Sequence, residues 1–523
     1  MKRVIPPLVL GSWLVGLSGS LPGAHAATFA CPKMSPQLVF AMEAEPTGTD
    51  MHFSTAVSTR QMTMNFMETL IARAENNDII PQLAQSWGES ADHLTYTFRL
   101  RPNIVFHNGQ PLTSADVAAS FQRYARIAPN KLMLKPVASM ATPDPLTFTV
   151  TLSEPTPSFL EDLSSFLQPL AIFPASELEK PGNKVAPIGT GPFRFVEWVP
   201  DSHYTLARFP GYQPQPGFEQ ATGFGGLKVP CVERVIARSV KEPAARAAGL
   251  ETGAFDAIES IPTKDAERLR SNPKLTVIEQ KNFTMAVAIP NAKKSPTDKL
   301  EVRQAIQAAL DLDAIADAAF DGAYSLQPSF QYPGTPYHND AGKDAFNQNS
   351  AEKAKKLLAA AGYKGEEVVL LTNTDYDWMY TEALVMAEQL KAVGINAKLN
   401  VTDWPGSGAI RRNRPDQWNI YFTGWTTGPS IGPRDAINDV SPVGNLQNLS
   451  EPDRVLGEAW FDMATRLDQA GRLEAFRRAQ ARIYEQAYVY KLSDVSRFQA
   501  TQAHVKNYVP YRIVRFYNVW LDK

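Results

Sequence analysis

Between Phe98 and Phe121 the chain reads FRLRPNIVFHNGQPLTSADVAASF, and that run admits very few local structures. Thr97-Phe98-Arg99-Leu100 alternates polar and apolar side chains as a half-buried strand does. Asn108-Gly109 is a turn dipeptide. Beyond Pro111-Leu112, Thr113 and Ser114 offer hydroxyls to cap a helix, and Asp116 puts an acid in its first turn. An amphipathic helix is expected from there through Phe121. The run therefore predicts strand, turn, strand and helix in immediate succession.

The same residues resemble the signature of the family 5 solute-binding proteins, the extracytoplasmic receptors of peptide- and nickel-type ABC importers. Further blocks are similar to that family and follow its order. They are Pro81–Trp87 (PQLAQSW), Pro187–Trp198 (PIGTGPFRFVEW), Arg208–Tyr212 (RFPGY), Val302–Ala314 (VRQAIQAALDLDA), Ala351–Tyr363 (AEKAKKLLAAAGY) and Phe422–Thr426 (FTGWT). The resemblance spans almost the whole chain after its leader. It implies an α/β, bilobal periplasmic-binding-protein-like fold with an extra inserted domain, its two lobes joined by a hinge. A discontinuous first lobe would hold residues 27–73, 184–281 and 493–523. An inserted domain at 74–183 would carry the signature, and a second lobe would hold 282–492. Local patterns fit this division. Leu38 to Met42 reads as a buried strand, and Leu146 to Leu152 alternates after a Pro-Asp-Pro turn. Past Lys299, helical periods alternate with apolar runs, the rhythm of a parallel sheet with covering helices.

Residues 1–26 have the form of a cleaved secretory signal: Lys2 and Arg3, an apolar run to Leu17, then Ala24-His25-Ala26. The run is shorter than the roughly 20 residues a bilayer-spanning helix needs. Thr28-Phe29-Ala30 ahead of Cys31 lacks the apolar residue of a lipobox, so a periplasmic protein without a lipid anchor is expected. Taking Lys2 and Arg3 from the 52 basic residues leaves 50, against 54 acids. That balance argues against nucleic acid as a partner. The two cysteines, Cys31 and Cys231, would enter an oxidising compartment, which favours a disulfide over two buried thiols.

No catalytic residues are expected. The seven histidines are dispersed, with none at metal-ligand spacing, so neither a metal nor a cofactor is implied. His107 reads as a hydrogen-bonding residue that fixes the turn. Gly189-Thr190-Gly191-Pro192 lacks the Lys-Ser/Thr of a phosphate loop and reads as a tight turn into a strand. Ser and Thr are plentiful but nothing links one of them to a base, and a secreted hydrolase stands as the rival of another class.

A binding reading asks instead for aromatic walls and a few fixed polar groups. The resemblance places pocket-lining loops at Thr374–Tyr380, with Asp375, Asp377 and Trp378; at Trp404-Pro405, with Arg411 and Arg412 beyond; and at Gly424–Asp435. Trp425, Thr426, Gly428 and Asp435 are the candidates in the third loop. Glu43 and Glu45 would reach the cleft from the other lobe. In peptide receptors of the family the Gly-Trp segment continues to an Asp that pairs with the ligand's α-amino group, and here Gly428 holds that place. Asp435 or Asp375/Asp377 would then supply the charge, or the ligand is an opine, oligosaccharide, glutathione-like compound or metal chelate. The implied role is a monomeric receptor that carries a small-molecule or peptide ligand to an ABC permease and its ATPase in the inner membrane.

Overall fold

A computed structural model describes residues 29–54, 56–76, 78–180, 184–426, 433–440, 453–466 and 468–523, with the side chains of Thr426, Asp435 and Asn438 excluded. The expected signal sequence and its cleavage point after Ala26 lie outside the described residues.

One large mixed sheet runs through the molecule. Its strand order is Asn396–Thr402, Glu367–Asn373, Ile420–Thr426, Leu275–Pro290, Tyr490–Gln502, Ala257–Ile261, Ser35–Met42, Val232–Ser239, His203–Arg208 and Phe193–Val199. The two longest strands, Leu275–Pro290 and Tyr490–Gln502, lie side by side and antiparallel at its centre. Their register breaks between Gln280 and Thr284, where Asn282 adopts a left-handed φ of 50°. A break of this kind bends a strand. Arg512 supports the bend by donating to the Asn282 carbonyl at 3.1 Å.

The break divides the sheet into two halves, each with parallel strands. On one side Ser35–Met42 pairs in parallel with both Val232–Ser239 and Ala257–Ile261. On the other, Glu367–Asn373 pairs in parallel with both Asn396–Thr402 and Ile420–Thr426. Parallel neighbours need crossover connections, and the helices Asp377–Ala392 and Trp404–Asn413 supply them here. Val368, Leu370 and Leu371 are fully buried, as expected of a strand covered on both faces. The fold is mixed α/β and bilobal, as the resemblance implies.

A separate antiparallel sheet, Ala84–Glu89, Thr95–Leu100, Thr147–Leu152 and Val137–Asp144, packs on the helix Ser114–Ile127. Tyr96, Phe98 and Leu100 are buried while Arg99 is exposed, so the alternation is real. Phe121 and Phe148 meet at 4.9 Å in its core, and each buried ring contributes roughly 1.5–3 kcal/mol by leaving water. The helix opens as its sequence requires: the Asp116 carboxylate accepts from the Thr113 N–H at 2.8 Å and from its hydroxyl at 2.9 Å. The second strand expected between the turn and the helix shrinks to a single bridge between Pro111 and Val105. Its backbone is committed elsewhere: the Gly109 N–H closes the turn on Phe106 O at 2.8 Å, and His107 N–H donates to Gly189 O at 2.9 Å. Cys31 and Cys231 are joined in a disulfide across 200 residues of sequence.

Candidate functional site

A cavity of about 320 Å³ opens beside the register break. Phe283 and Thr284 from one central strand line it, together with Ser496 and Arg497 from the other. Its place follows from the sheet, because the C-terminal ends of parallel strands leave a crevice there. Glu43 follows the strand Ser35–Met42, and Asp375 to Trp378 follow Glu367–Asn373, so the two halves meet around one space.

Four charges make the floor. Arg497 pairs with Glu259, which also accepts from Gln61 and, at 2.9 Å, from the Glu43 N–H. Arg246 donates to the carbonyls of Ser260, Val240 and Lys241 at 2.7–3.0 Å. Glu43 has only distant guanidinium neighbours, Arg497 at 3.5 Å and Arg246 at 3.8 Å. Burial, reinforced by the negative Glu259, pushes the Glu43 carboxyl up from its ordinary value, against the pull of both arginines and of the Ser260 hydroxyl. The Arg497 guanidinium lies over the Phe283 ring, 4.5 Å from its centre.

Aromatic rings make the wall. Tyr376 and Trp404 meet edge to face at 5.2 Å, and Trp378 packs against Phe320 at 5.6 Å. Gly424 lets Trp378 lie close, for a Cβ there would fall 3.1 Å from its ring and 3.0 Å from the Thr284 hydroxyl. The Asp375 carboxylate accepts from the Trp404 N–H at 3.2 Å, which ties two of the loops together. It also reaches Lys241, on the opposite half, at 3.4 Å.

Asp375, Asp377, Trp378 and Trp404 thus come together in the cavity wall as one group. Trp425 is placed elsewhere. Successive side chains of a strand point to opposite faces, so a strand that presents Gly424 to the cavity sends Trp425 away from it. Its indole packs on Phe330 at 5.8 Å and donates to Asp439 at 3.0 Å, 8% exposed. Glu45 is buried outside the cavity lining, with one carboxylate oxygen lacking a hydrogen-bond partner. Burial raises its pKa, helped by Asp201 and Asp375 and opposed by Lys241 and an N–H of Asp201. Arg411 stacks over Tyr421 at 4.8 Å and faces Asp439 at 3.5 Å. Gly428 and the side chains of Thr426 and Asp435 lie outside the described residues.

Arg246, Glu259, Phe283 and Arg497 were not anticipated from the sequence. A signal existed for two of them. Glu259 sits in AIESI and Arg497 in DVSRF, charges within strands otherwise fit for burial, and a buried charge demands a partner. Among the described residues the lining holds no histidine or cysteine, and no cluster of three or more His, Cys, Asp or Glu could hold a metal ion.

Comparison with known proteins gives a consistent pattern. The family model described as "Bacterial extracellular solute-binding proteins, family 5 Middle" matches residues 78–443. A probable peptide ABC transporter periplasmic-binding protein, y4tO of Sinorhizobium fredii, is 30% identical over 68% of this chain and 69% of its own. Heme-binding protein A of Haemophilus influenzae is 28% identical over 86% of this chain and 85% of its own. Among solved structures, the binding protein AgaA of Agrobacterium tumefaciens R10, in complex with agropinic acid, superposes with a TM-score of 0.80 at 25% identity, over 93% of this chain and 99% of that one.

Proposed function

This chain belongs to the family 5 bacterial extracellular solute-binding proteins, receptors rather than enzymes, and from that premise we propose that it captures one peptide or peptide-like solute between its lobes and delivers it to an ABC importer. The observation that carries this reading is the cavity itself, which takes its floor from one half of the sheet, its aromatic wall from the other, and lies against the bend that joins them. A ligand touching both halves stabilises their approach by its differential affinity for the closed form. Lys241 and Asp375, one from each half of the sheet, face each other across the cavity at 3.4 Å.

The first lobe holds residues 27–73, 184–281 and 493–523 and the second 282–492, with 74–183 as the inserted domain. The leader is cleaved after Ala26 and no lipid is attached at Cys31, which makes the receptor periplasmic. It acts as a monomer, with the membrane permease and its ATPase as partners and no nucleic acid. A second reading, an opine-like ligand, is favoured by Gly428 in place of an acid and by the likeness to AgaA. Small-angle scattering on the ligand-stripped protein tests the role. Adding the solute recovered from the native protein, identified by mass spectrometry, should shrink the radius of gyration and return the solute unchanged. Chemical conversion of it would sink the receptor reading, and binding without compaction would sink the hinge.

A further inference from the structure

We propose that Arg434 clasps the second lobe to the inserted domain, and that this clasp, outside the solute cavity, populates the closed form of the receptor before any solute arrives. The inference rests on the hinge reading above and adds a contact that the solute does not make.

The inserted domain is fixed to the first lobe. Arg123 forms a buried ion pair with Asp50, Arg101 donates to the carbonyls of Gln213 and Pro214 at 2.7 and 2.9 Å, and His107 is bonded to Gly189. Arg73 holds the helix Phe159–Leu163 from the same side, donating to Glu161 O at 2.6 Å and to the Ser164 hydroxyl at 2.9 Å. Any bond from that helix to the second lobe therefore spans the hinge.

Such a bond exists at Arg434, in the short helix Pro433–Ala436. Its Nη1 donates to the Ser158 hydroxyl at 2.6 Å and to the Asp162 carboxylate, 272 positions away, at 2.8 Å. The Ser158 hydroxyl donates in turn to the same carboxylate at 3.1 Å. On its other side the guanidinium lies over the Trp460 ring, 3.8 Å from its centre. Trp460 belongs to the second lobe, so the ring holds the guanidinium whether or not the inserted domain is near. A cation held in this way loses little freedom on meeting Asp162, and a charge-assisted hydrogen bond is among the stronger kinds. Lys135 repeats the pattern from the inserted domain, its Nζ 5.4 Å from the centre of the Phe461 ring.

The rest of this contact is built to part. The two bodies keep separate apolar cores, one around Phe98, Phe121 and Phe148 and the other around Phe330, Trp460 and Phe476. A void of about 60 Å³ remains between them beside Arg434. The charged contact, not a shared core, ties the inserted domain to the second lobe. Ser158, Asp162 and Arg434 are absent from the lining of the solute cavity, so the clasp needs no solute to form. Solute and clasp then bias one equilibrium in the same direction.

The test uses the full mature chain, stripped of solute by unfolding with its disulfide intact and then refolded. Gln122 on the inserted domain and Lys355 on the second lobe are exposed helix positions. Gln122→Cys and Lys355→Cys together accept two spin labels, because the native cysteines are bridged to each other. Pulsed dipolar spectroscopy should find a component at the separation of this structure beside a longer one. Arg434→Met should cut the ratio of the first to the second about tenfold. Asp162→Ala should do the same, the two together should do no more than either alone, and Arg434→Lys, which keeps a charge for Asp162, should do less. An unchanged ratio in the folded Arg434→Met or Asp162→Ala protein overturns the clasp and leaves the hinge standing, and so does a wild type with the longer component alone. The separation of this structure as the single distance in wild type and both variants overturns the hinge reading as well. If Arg434→Met does not fold, Asp162→Ala decides.

Discussion

His107 and Gly189 are bonded to each other twice, His107 N–H to Gly189 O at 2.9 Å and Gly189 N–H to His107 Nδ1 at 3.2 Å. With Nδ1 accepting, the ring proton sits on Nε2, which donates to Gly191 O at 3.1 Å. A Cβ on Gly189 would collide with the Phe66 carbonyl oxygen, so the glycine is what lets the turn close against that backbone. The signature block and the Gly-Thr-Gly-Pro turn are two sides of one joint, and the joint holds only while His107 is neutral.

An acid limb in stability follows from this. Burial lowers the His107 pKa to about 4, and does the same to His52, which bonds to Ala171 O at 2.8 Å. The folded values lie below the unfolded one of about 6.5, so this stability is complete above that pH and lost as pH falls from there toward 4. Each histidine contributes on the order of 3 kcal/mol across that window. Urea melts between pH 7.5 and 4.5 should show the loss, and His107→Gln should lower stability at pH 7.5 while flattening the slope. Parallel curves for the two proteins would refute the assignment.

Trp378 and Trp425 should separate cleanly. Trp425→Ala empties a core site and removes the indole hydrogen bond to Asp439, at a cost of about 3–5 kcal/mol in folding. Trp378→Ala removes a cavity wall and should weaken the native solute by about 2 kcal/mol, roughly thirtyfold, with a smaller loss of stability. Melting and calorimetry on both variants check this; the reverse pattern would restore Trp425 as a ligand wall.

Lys241 is 38% exposed, so its pair with Asp375 contributes at most about 1 kcal/mol to closure. Lys241→Gln should weaken the solute up to about fivefold in dilute buffer, and the difference should fade in 1 M salt. Asp375→Ala should do more at any salt, because it also loses the acceptor that holds the Trp404 N–H. Insensitivity of the Lys241 effect to salt would argue against an ion pair.

Replacing both cysteines by serine frees a 200-residue loop and should cost roughly 4 kcal/mol of stability. Urea midpoints of the double variant against the oxidised wild type measure it. A change under about 1 kcal/mol would mean that the segments around Cys31 are held without the bridge.

How far the sequence was legible depended on the range of the forces involved. The capping of Ser114–Ile127 by Thr113 and Asp116, and the alternation of Tyr96, Phe98 and Leu100, are short-range effects and could be read directly. The same holds for Asp375, Trp378 and Trp404, which follow strand ends. Arg497 and Glu259 lie 238 positions apart, and only the pairing of Tyr490–Gln502 beside Ala257–Ile261 brings them together. The misplacement of Trp425 came from treating a strand end as a loop. The strand continues to Thr426, and its two-residue period decides which side chain faces the cavity.

Tyr490–Gln502 is bonded on one side to Leu275–Pro290 and on the other to Ala257–Ile261, and it brings Arg497 to the floor. A chain that emerges N-terminus first has neither a continuous sheet nor a complete cavity until almost its last residues are out. Until then Ala257–Ile261 and Leu275–Pro290 both have an open edge where that strand will sit. A product ending before Tyr490 lacks the strand that carries Arg497 and so has no complete cavity, and binding activity therefore reports that synthesis passed that strand.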